Sequence, residues 1–160
     1  MKPTFFFAVL ILCGVSFSSF TNKPSTPAET VSKVVRFNER FFSLIVENDL
    51  SVVLTESSSN EIIIEGSEHA IKTLIVNVED GKLNLSSLPF ASHAGVTVYV
   101  PAAFLSKVNL YGNSRLSSSS VLNNARLHVL IAGEAKVHLR SNGKVTVEGT
   151  PDFDFIKQSK

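Results

Sequence analysis

A short pattern recurs three times between residues 107 and 155, and it restricts the possible folds more than any other feature of the chain. Each copy is an alternating apolar segment that ends in a glycine, followed by three mostly polar residues and one or two further apolar residues. The alternating segments are 108–112, 129–133 and 145–149. A strand of this length cannot bury its apolar face alone, so we expect the copies to stack and to cover one another.

Stacked copies predict an all-β fold, a β-helix-like solenoid with an antiparallel hairpin in its N-terminal half. Gly112, Gly133 and Gly149 are expected at equivalent corners of successive coils, because glycine tolerates positive φ and a close backbone approach. The apolar residues that follow are expected to form inward ladders. One ladder comprises Leu116, Val137 and Phe153, and a second begins with Leu139 and Phe155. The alternative is a β-sandwich of ordinary hairpins in which a few glycines recur by chance.

The N-terminal half is rich in β-branched and aromatic residues and contains the clearest hairpin signal. Apolar residues alternate on both sides of Asp80-Gly81, so residues 74–85 are predicted to form an antiparallel pair. Further strands are predicted at 41–46, 50–54, 61–65 and 95–100, with one helical turn at 66–72 capped by Ser67. Asn142-Gly143 leaves a second hairpin open, in competition with a corner of the solenoid.

Three segments are expected along the chain. Residues 1–20 combine Lys2, an apolar run and small serines, which is typical of a secretory signal peptide. An uncleaved anchor is the alternative, although the run is shorter than the roughly 20 apolar residues that a bilayer needs. Residues 21–33 are expected to form a flexible linker, and residues 34–156 a single β-rich domain.

Cys13 is the only cysteine of the chain. Cleavage of a signal peptide would remove it, and the mature chain could then form no disulfide. The alternative is that Cys13 accepts a lipid, as in bacterial lipoproteins, although Leu12 precedes it where such proteins have a small residue.

Charge and motif content narrow the possible functions. Without Lys2 the chain has 14 basic and 14 acidic residues, which gives no field to concentrate nucleic acid or an anionic membrane. The sequence has no Gly-x-Ser-x-Gly motif, no glycine-rich phosphate loop and no convergent set of metal ligands. We therefore expect no catalytic, cofactor-binding or metal-binding residues, no cofactor and no enzymatic activity.

One group of residues is a candidate binding surface. His128 and His138 alternate with apolar neighbours, which predicts that both lie on an outer face, and nearby cations would repel a metal ion. Together with these cations they would form a basic, outward-facing strip. Its members are Arg126, His128, Lys136, His138, Arg140 and Lys144. The alternative is an ordinary solvated face.

These features together resemble a known family. The leader and linker precede Ile-Ile-Ile-Glu-Gly at 62–66, Val-Glu-Asp-Gly-Lys-Leu at 78–83, Val-Tyr-Val-Pro at 98–101 and then the apolar-glycine units. This order resembles the putative auto-transporter adhesin family with the head GIN domain, a domain of unknown function common in Bacteroidetes, over about residues 35–155. The resemblance implies an exported, non-enzymatic, β-rich domain. Family repeats usually carry Ser-Gly-x-Gly, whereas Tyr111, Ala132 and Glu148 stand at the serine positions here.

The motifs and the resemblance favour a non-enzymatic, exported binding or adhesion-type module of the cell envelope or surface. Its expected partner is a surface polysaccharide or an envelope protein, not nucleic acid, and no membrane span is expected in the mature chain. The expected location is the periplasm, the outer-membrane surface or the medium. The alternatives are a structural or accessory envelope protein without a ligand and, less favoured, a carbohydrate-active β-helix enzyme.

Overall fold

The computed structural model describes residues 30–88 and 95–149, together with the backbone of residues 154–158. The predicted signal peptide, Cys13 and most of the predicted linker lie outside these residues. The division of the chain into leader, linker and domain therefore remains a prediction.

Nearly every element within the described residues is a strand. The first are β1 (Thr30–Arg36), β2 (Ser43–Val46), β3 (Ser51–Thr55) and β4 (Glu61–Ser67), and the helix α1 (Glu68–Lys72) follows. The next are β5 (Leu74–Glu79), β6 (Lys82–Ser87), β7 (Thr97–Pro101), β8 (Lys107–Tyr111) and β9 (Arg115–Ser118). The last are β10 (Arg126–Ala132), β11 (Lys136–Arg140), β12 (Lys144–Gly149) and β13 (Asp154–Gln158). The predicted all-β class is confirmed.

The strands form two mixed sheets. The seven-stranded sheet has the order β1-β4-β7-β3-β9-β11-β13, and the six-stranded sheet has the order β12-β10-β8-β2-β6-β5. Pairing is antiparallel for β1–β4, β4–β7 and β5–β6 and parallel for every other neighbouring pair. The parallel registers favour the β-helix-like interpretation, which remains an interpretation, because the outer strands β1, β4 and β5 join antiparallel.

The core lies between the two sheets, and it is built from rows of apolar residues in register. The chain steps from the six-stranded to the seven-stranded sheet between β2 and β3, and it repeats this step between β8 and β9 and between β10 and β11. One inward row of the six-stranded sheet contains Leu83, Leu44, Val108 and Val129. One row of the seven-stranded sheet contains Val98, Val52, Leu116 and Val137. Each of these side chains contributes about 1.5–3 kcal/mol by burial.

Three residues with positive φ form the corners at which the chain changes sheet. They are Asn48 (φ 68°), Gly112 (φ 73°) and Gly133 (φ 148°). The register of Val46 with Leu110, and of β8 with β10, places these corners in one line. The predicted equivalence of Gly112 and Gly133 is therefore correct. The first corner was not predicted, because asparagine takes the place of glycine there. Asparagine tolerates the left-handed region better than most residues do.

The third glycine does not occupy an equivalent corner, and the prediction for it was wrong. Gly149 is still part of β12 and pairs with Ile131, two residues before the corner at Gly133. The following strand is displaced by the same amount, so that Phe155 rather than Phe153 pairs with Val137. The second predicted ladder is also wrong, because Leu139 pairs with Lys157. Phe153 itself lies outside the described residues.

Two local turn predictions are confirmed, and one alternative is wrong. The hairpin at 74–85 is confirmed, with Asp80 at φ 50° and Gly81 at φ 69°, as a type I′ turn requires. The helical turn is confirmed too, since Ser67 Oγ accepts a hydrogen bond from Ala70 N at 3.3 Å. The alternative hairpin at Asn142-Gly143 is wrong, because β11 and β12 lie in different sheets.

Strand β1 begins at Thr30, inside the range predicted to be a flexible linker. It pairs antiparallel with β4 along its whole length, from Thr30 opposite Ser67 to Arg36 opposite Glu61. Residues 30–33 are thus strand. Little in the sequence indicates this, because only Val31 and Val35 of β1 pack against the core and its other residues are exposed.

Candidate functional site

The six residues of the candidate basic strip do not form one surface. Arg126, His128 and Lys144 belong to the six-stranded sheet, on β10 and β12, where Arg126 and Lys144 are direct neighbours. The other members, Lys136, His138 and Arg140, belong to β11 of the seven-stranded sheet. The corner at Gly133 separates the two groups, and the core lies between the sheets. The six residues are therefore divided between two outer faces.

Both histidines of that strip have the outward placement that was predicted. His138 is exposed, and the His128 side chain is 41% exposed, with its Nε2 3.4 Å from Glu148 Oε2. A pair this open to water contributes little to stability, because solvent screens it. Among the described residues no three histidine, cysteine, aspartate or glutamate side chains come together as metal ligands.

A concave site lies along the stacked corners, and we call it the corner groove. Its cavity has a volume of about 590 Å³ and is lined by residues 49–51, 113–115 and 134–136. Each of these triplets directly follows one of the corner residues Asn48, Gly112 and Gly133. The groove is thus made by three successive corners, each of which contributes the same three positions.

Charges in the corner groove are sorted by position within each triplet. The first position supplies Asp49 and Glu134, and the third position supplies Arg115 and Lys136. Arg115 and Lys136 are paired across β9 and β11, so the backbones that carry them lie about 4.8 Å apart. Among the described side chains no ion pair joins these acids to these bases. The groove therefore presents an acidic rim beside a basic row.

Backbone and side-chain hydrogen bonds fix the shape of the corner groove. Asn113 N donates to Asp49 Oδ1 at 3.2 Å, which ties the second corner to the first. The Ser114 hydroxyl is buried and lies 2.7 Å from the Asn48 carbonyl oxygen and 2.9 Å from that of Tyr111. Lys136 N donates to the Ser114 carbonyl at 3.0 Å and ties the third corner to the second. A site held in this way binds a ligand without first having to be ordered.

The arrangement suits binding better than acid catalysis. Asp49 and Glu134 come from corners separated by one intervening strand, so their backbones lie roughly 9–10 Å apart. Both residues are exposed, whereas a carboxyl group that acts as a general acid usually sits in an apolar environment that keeps it protonated. What the groove offers instead is a pair of cations for anionic groups and two carboxylates that accept hydrogen bonds from hydroxyl groups.

A match to a family model identifies the family of the chain. Residues 40–151, which include every corner and all strands except β1 and β13, match the family model described as putative auto-transporter adhesin, head GIN domain. The chain belongs to this family. The family resemblance noted in the sequence is thereby confirmed.

Several solved structures have a fold similar to that of this GIN-domain chain. A putative adhesin from Parabacteroides merdae aligns with a TM-score of 0.63 at 16% identity, over 77% of this chain and 52% of that one. A putative lipid binding protein from Parabacteroides distasonis aligns with a TM-score of 0.64 at 13% identity, over 84% and 61%. A putative adhesin from Bacteroides fragilis aligns with a TM-score of 0.57 at 14% identity, over 74% and 61%. At these identities the likeness concerns the fold alone.

This GIN-domain chain spans only about half to three-fifths of the length of those three structures. No curated protein matches it. In the part of the chain that the structure describes, no helix has the length and apolar character needed to cross a bilayer.

Sequence reasoning missed the corner groove. Asp49, Asn113 and Glu134 look like ordinary turn residues when each is read in its own segment. The sequence does indicate that these residues are equivalent, because each directly follows a corner residue of the repeat. This equivalence can be recognised only when Asn48 is identified as the first corner.

Proposed function

We propose that this chain is a non-enzymatic binding module of adhesion type, exported to the cell envelope or surface, whose ligand occupies the corner groove. The observation that carries the proposal is the sorting of charge across three corners in register, with Arg115 and Lys136 on one side and Asp49 and Glu134 on the other. The cavity of about 590 Å³ lies within the usual size range of ligand sites, and hydrogen bonds tie its three corners together.

The ligand class that fits best is a polysaccharide with carboxylate groups. The adjacent cations Arg115 and Lys136 would hold its carboxylates, and Asp49 and Glu134 would accept hydrogen bonds from its hydroxyls. An extended polymer also suits a groove made of repeated corners, because successive sugar units can meet equivalent positions. The predicted signal peptide and the family support a location outside the cytoplasm, in the periplasm, on the outer membrane or in the medium.

The test is titration calorimetry of the exported chain with polygalacturonate oligomers. We expect binding that the double variant Arg115→Gln/Lys136→Gln weakens at least tenfold, since two charge-assisted contacts are lost. The matched control is Lys33→Gln/Lys144→Gln, which removes the same charge from exposed strand positions outside the groove. Binding that both double variants weaken equally would show non-specific attraction and would contradict the proposal.

The alternatives give different results in the same experiment. A structural or accessory envelope protein would bind no oligomer in the series. A carbohydrate-active enzyme would release new reducing ends from the oligomers, and Asp49→Asn or Glu134→Gln would abolish that release. We expect no release of reducing ends by the unaltered chain.

A further inference from the structure

We infer that the outer face of the seven-stranded sheet carries a second site, which binds one neutral pyranose ring over Tyr99. The site is a cavity of about 230 Å³, and we call it the Tyr99 platform. Its apolar floor consists of Ile63, Tyr99 and Pro101, and its polar rim includes Ser57, Ser59 and Glu61. It also touches Thr55, the last residue of β3, whereas the corner groove touches Ser51, the first. Four residues of strand, or roughly 13 Å, separate the two sites.

The floor is apolar where the outer face of a sheet is usually polar. Val98 and Val100 point into the core, so Tyr99 between them points outward, and Ile63 is its partner on β4. Ile63 is 37% exposed, and Val34, the next residue of this row on β1, is 50% exposed. A contiguous apolar row rimmed by polar groups marks a binding surface more often than a single exposed residue does.

The Tyr99 hydroxyl lies near an acidic side chain of the neighbouring strand β4. This hydroxyl donates a hydrogen bond to the Glu65 carboxylate, and this bond raises the pKa of Tyr99 above its ordinary value. A tyrosine presents a large apolar face and has only two side-chain torsions, so it loses little conformational entropy on binding. The negative face of an aromatic ring attracts the slightly positive C–H groups that cover one side of a pyranose.

The rim is held in place. Arg36 Nε donates to Glu61 Oε2 at 2.9 Å, and the carboxylate keeps further lone pairs that can accept hydrogen bonds. The hydroxyl oxygens of Ser57 and Ser59 lie 3.2 Å apart, and Ser59 N donates to Ser57 Oγ at 3.2 Å. A carboxylate and two hydroxyls around an apolar floor are the groups that sugar hydroxyls require at the edge of a stacked ring.

Other ligand classes fit these groups less well. An acyl chain would cover Glu61 and both serines without replacing their hydrogen bonds to water, which carries a cost. A nucleotide or an acidic sugar would bring negative charge towards Glu61 and Glu65. The volume lies below the roughly 300–1,000 Å³ of sites for drug-sized ligands, and it suits a single ring. The ligand is therefore a neutral sugar, in contrast to the anionic polymer proposed for the corner groove.

The test is saturation-transfer NMR on the exported chain with the methyl glycosides of glucose, galactose, mannose and N-acetylglucosamine. We expect at least one to bind with a Kd of about 1–10 mM, which is the range for one ring and few contacts. Tyr99→Ala should raise that Kd at least tenfold, and Glu61→Gln at least threefold. Tyr99→Phe, which keeps the ring, should bind within about threefold of the unaltered chain.

Two control variants test whether the sugar binds at the Tyr99 platform and not elsewhere on the chain. Tyr111→Ala removes the other tyrosine, which is 39% exposed on the six-stranded sheet, and it should leave the Kd unchanged. Arg115→Gln/Lys136→Gln should also leave it unchanged, so the two sites can fail independently. If Tyr99→Ala does not fold, Glu61→Gln and Tyr99→Phe decide the matter. The inference is overturned if no glycoside binds, if binding survives Tyr99→Ala, or if Tyr111→Ala abolishes it.

Discussion

The backbones of Gly112 and Gly133 approach so closely that no side chain fits between them. A Cβ atom on Gly133 would lie 2.6 Å from the Gly112 carbonyl oxygen and 2.7 Å from the Gly112 nitrogen. These atoms belong to backbone and cannot rotate away, so the glycine at this corner is required by its neighbour as well as by its own φ.

Gly133→Ala should therefore destabilise the chain by about 2–4 kcal/mol, since strain at positive φ adds to a backbone clash. Gly95→Ala is the matched control, because Gly95 also has positive φ (83°) but a Cβ there would meet nothing within 4 Å. It should cost only about 1 kcal/mol. Urea unfolding curves give both values, and equal losses would show that the close approach has no energetic importance.

We expect Phe155→Ala to cost about 3–5 kcal/mol, the usual loss when a buried phenylalanine is truncated, because the alternation of residues 152–155 predicts that this ring faces the core. The register of β13 sets Phe155 opposite Val137 in the row that also contains the buried Leu116. Asp154→Asn is the control on the adjacent position and should change the free energy of unfolding by less than about 0.5 kcal/mol. If Asp154→Asn proves the more damaging change in denaturant melts, β13 turns its other face to the core.

The buried side chain of Asn124 should stabilise the contact between two loops through its hydrogen bonds. Its side chain is 7% exposed, and Nδ2 donates to the carbonyl of Ala102 at 2.5 Å and to that of Leu105 at 2.7 Å. We expect Asn124→Ala to cost about 2 kcal/mol, because the Leu105 carbonyl loses a donor in a place that water does not reach. Asn123→Ala removes a similar but exposed amide and should cost less than about 0.5 kcal/mol in thermal melts. Similar losses for the two variants would contradict this role.

The hydrogen bond from Tyr99 to Glu65 should make stability depend on pH at the alkaline end. The raised pKa of Tyr99 means that the folded chain holds the phenolic proton more tightly than the unfolded chain, whose tyrosine titrates near 10.0. The stabilisation is complete below pH 10 and is lost as pH rises through the higher pKa of the folded state.

The measurement uses phenolate absorbance in the Tyr111→Phe variant, where Tyr99 is the only remaining tyrosine. We expect its midpoint above 10 in the folded chain and near 10 in concentrated urea. Glu65→Gln should move the folded midpoint back towards the urea value, whereas Glu79→Gln, an exposed carboxyl on the other sheet, should leave it in place. A folded midpoint at or below the urea value would contradict the assignment of this hydrogen bond.

Features that depend on a few adjacent residues could be predicted from the sequence. Asp80-Gly81 defined its hairpin, Ser67 capped its helical turn, and the all-β class followed from period-2 alternation. The corners at Gly112 and Gly133 were also predicted correctly, because β8 and β10 pair with the same offset of 21 residues that separates the two glycines.

Features that depend on register between distant strands could not be predicted. Gly149 was misplaced because β10 and β12 pair with an offset of 18 residues, whereas Gly133 and Gly149 are 16 residues apart. The candidate basic strip is divided for a related reason, because residues close in sequence on either side of Gly133 lie in different sheets. The corner groove was missed because Asp49 and Asn113, although joined by a hydrogen bond, are 64 residues apart.

The position of β2 and β3 has a consequence for how the chain acquires its structure. These early strands are not at an edge, since β2 lies between β6 and β8, and β3 lies between β7 and β9. A linear array of repeats can fold one unit at a time. Here β2 and β3 each have one edge without a hydrogen-bonding partner until β8 and β9, which begin at residue 107, are present. Contacts of such long sequence separation slow folding, because the entropy of closing a long loop is lost before the contacts form. During synthesis one edge of β2 and one edge of β3 therefore stay unpaired until more than half of the chain has been made.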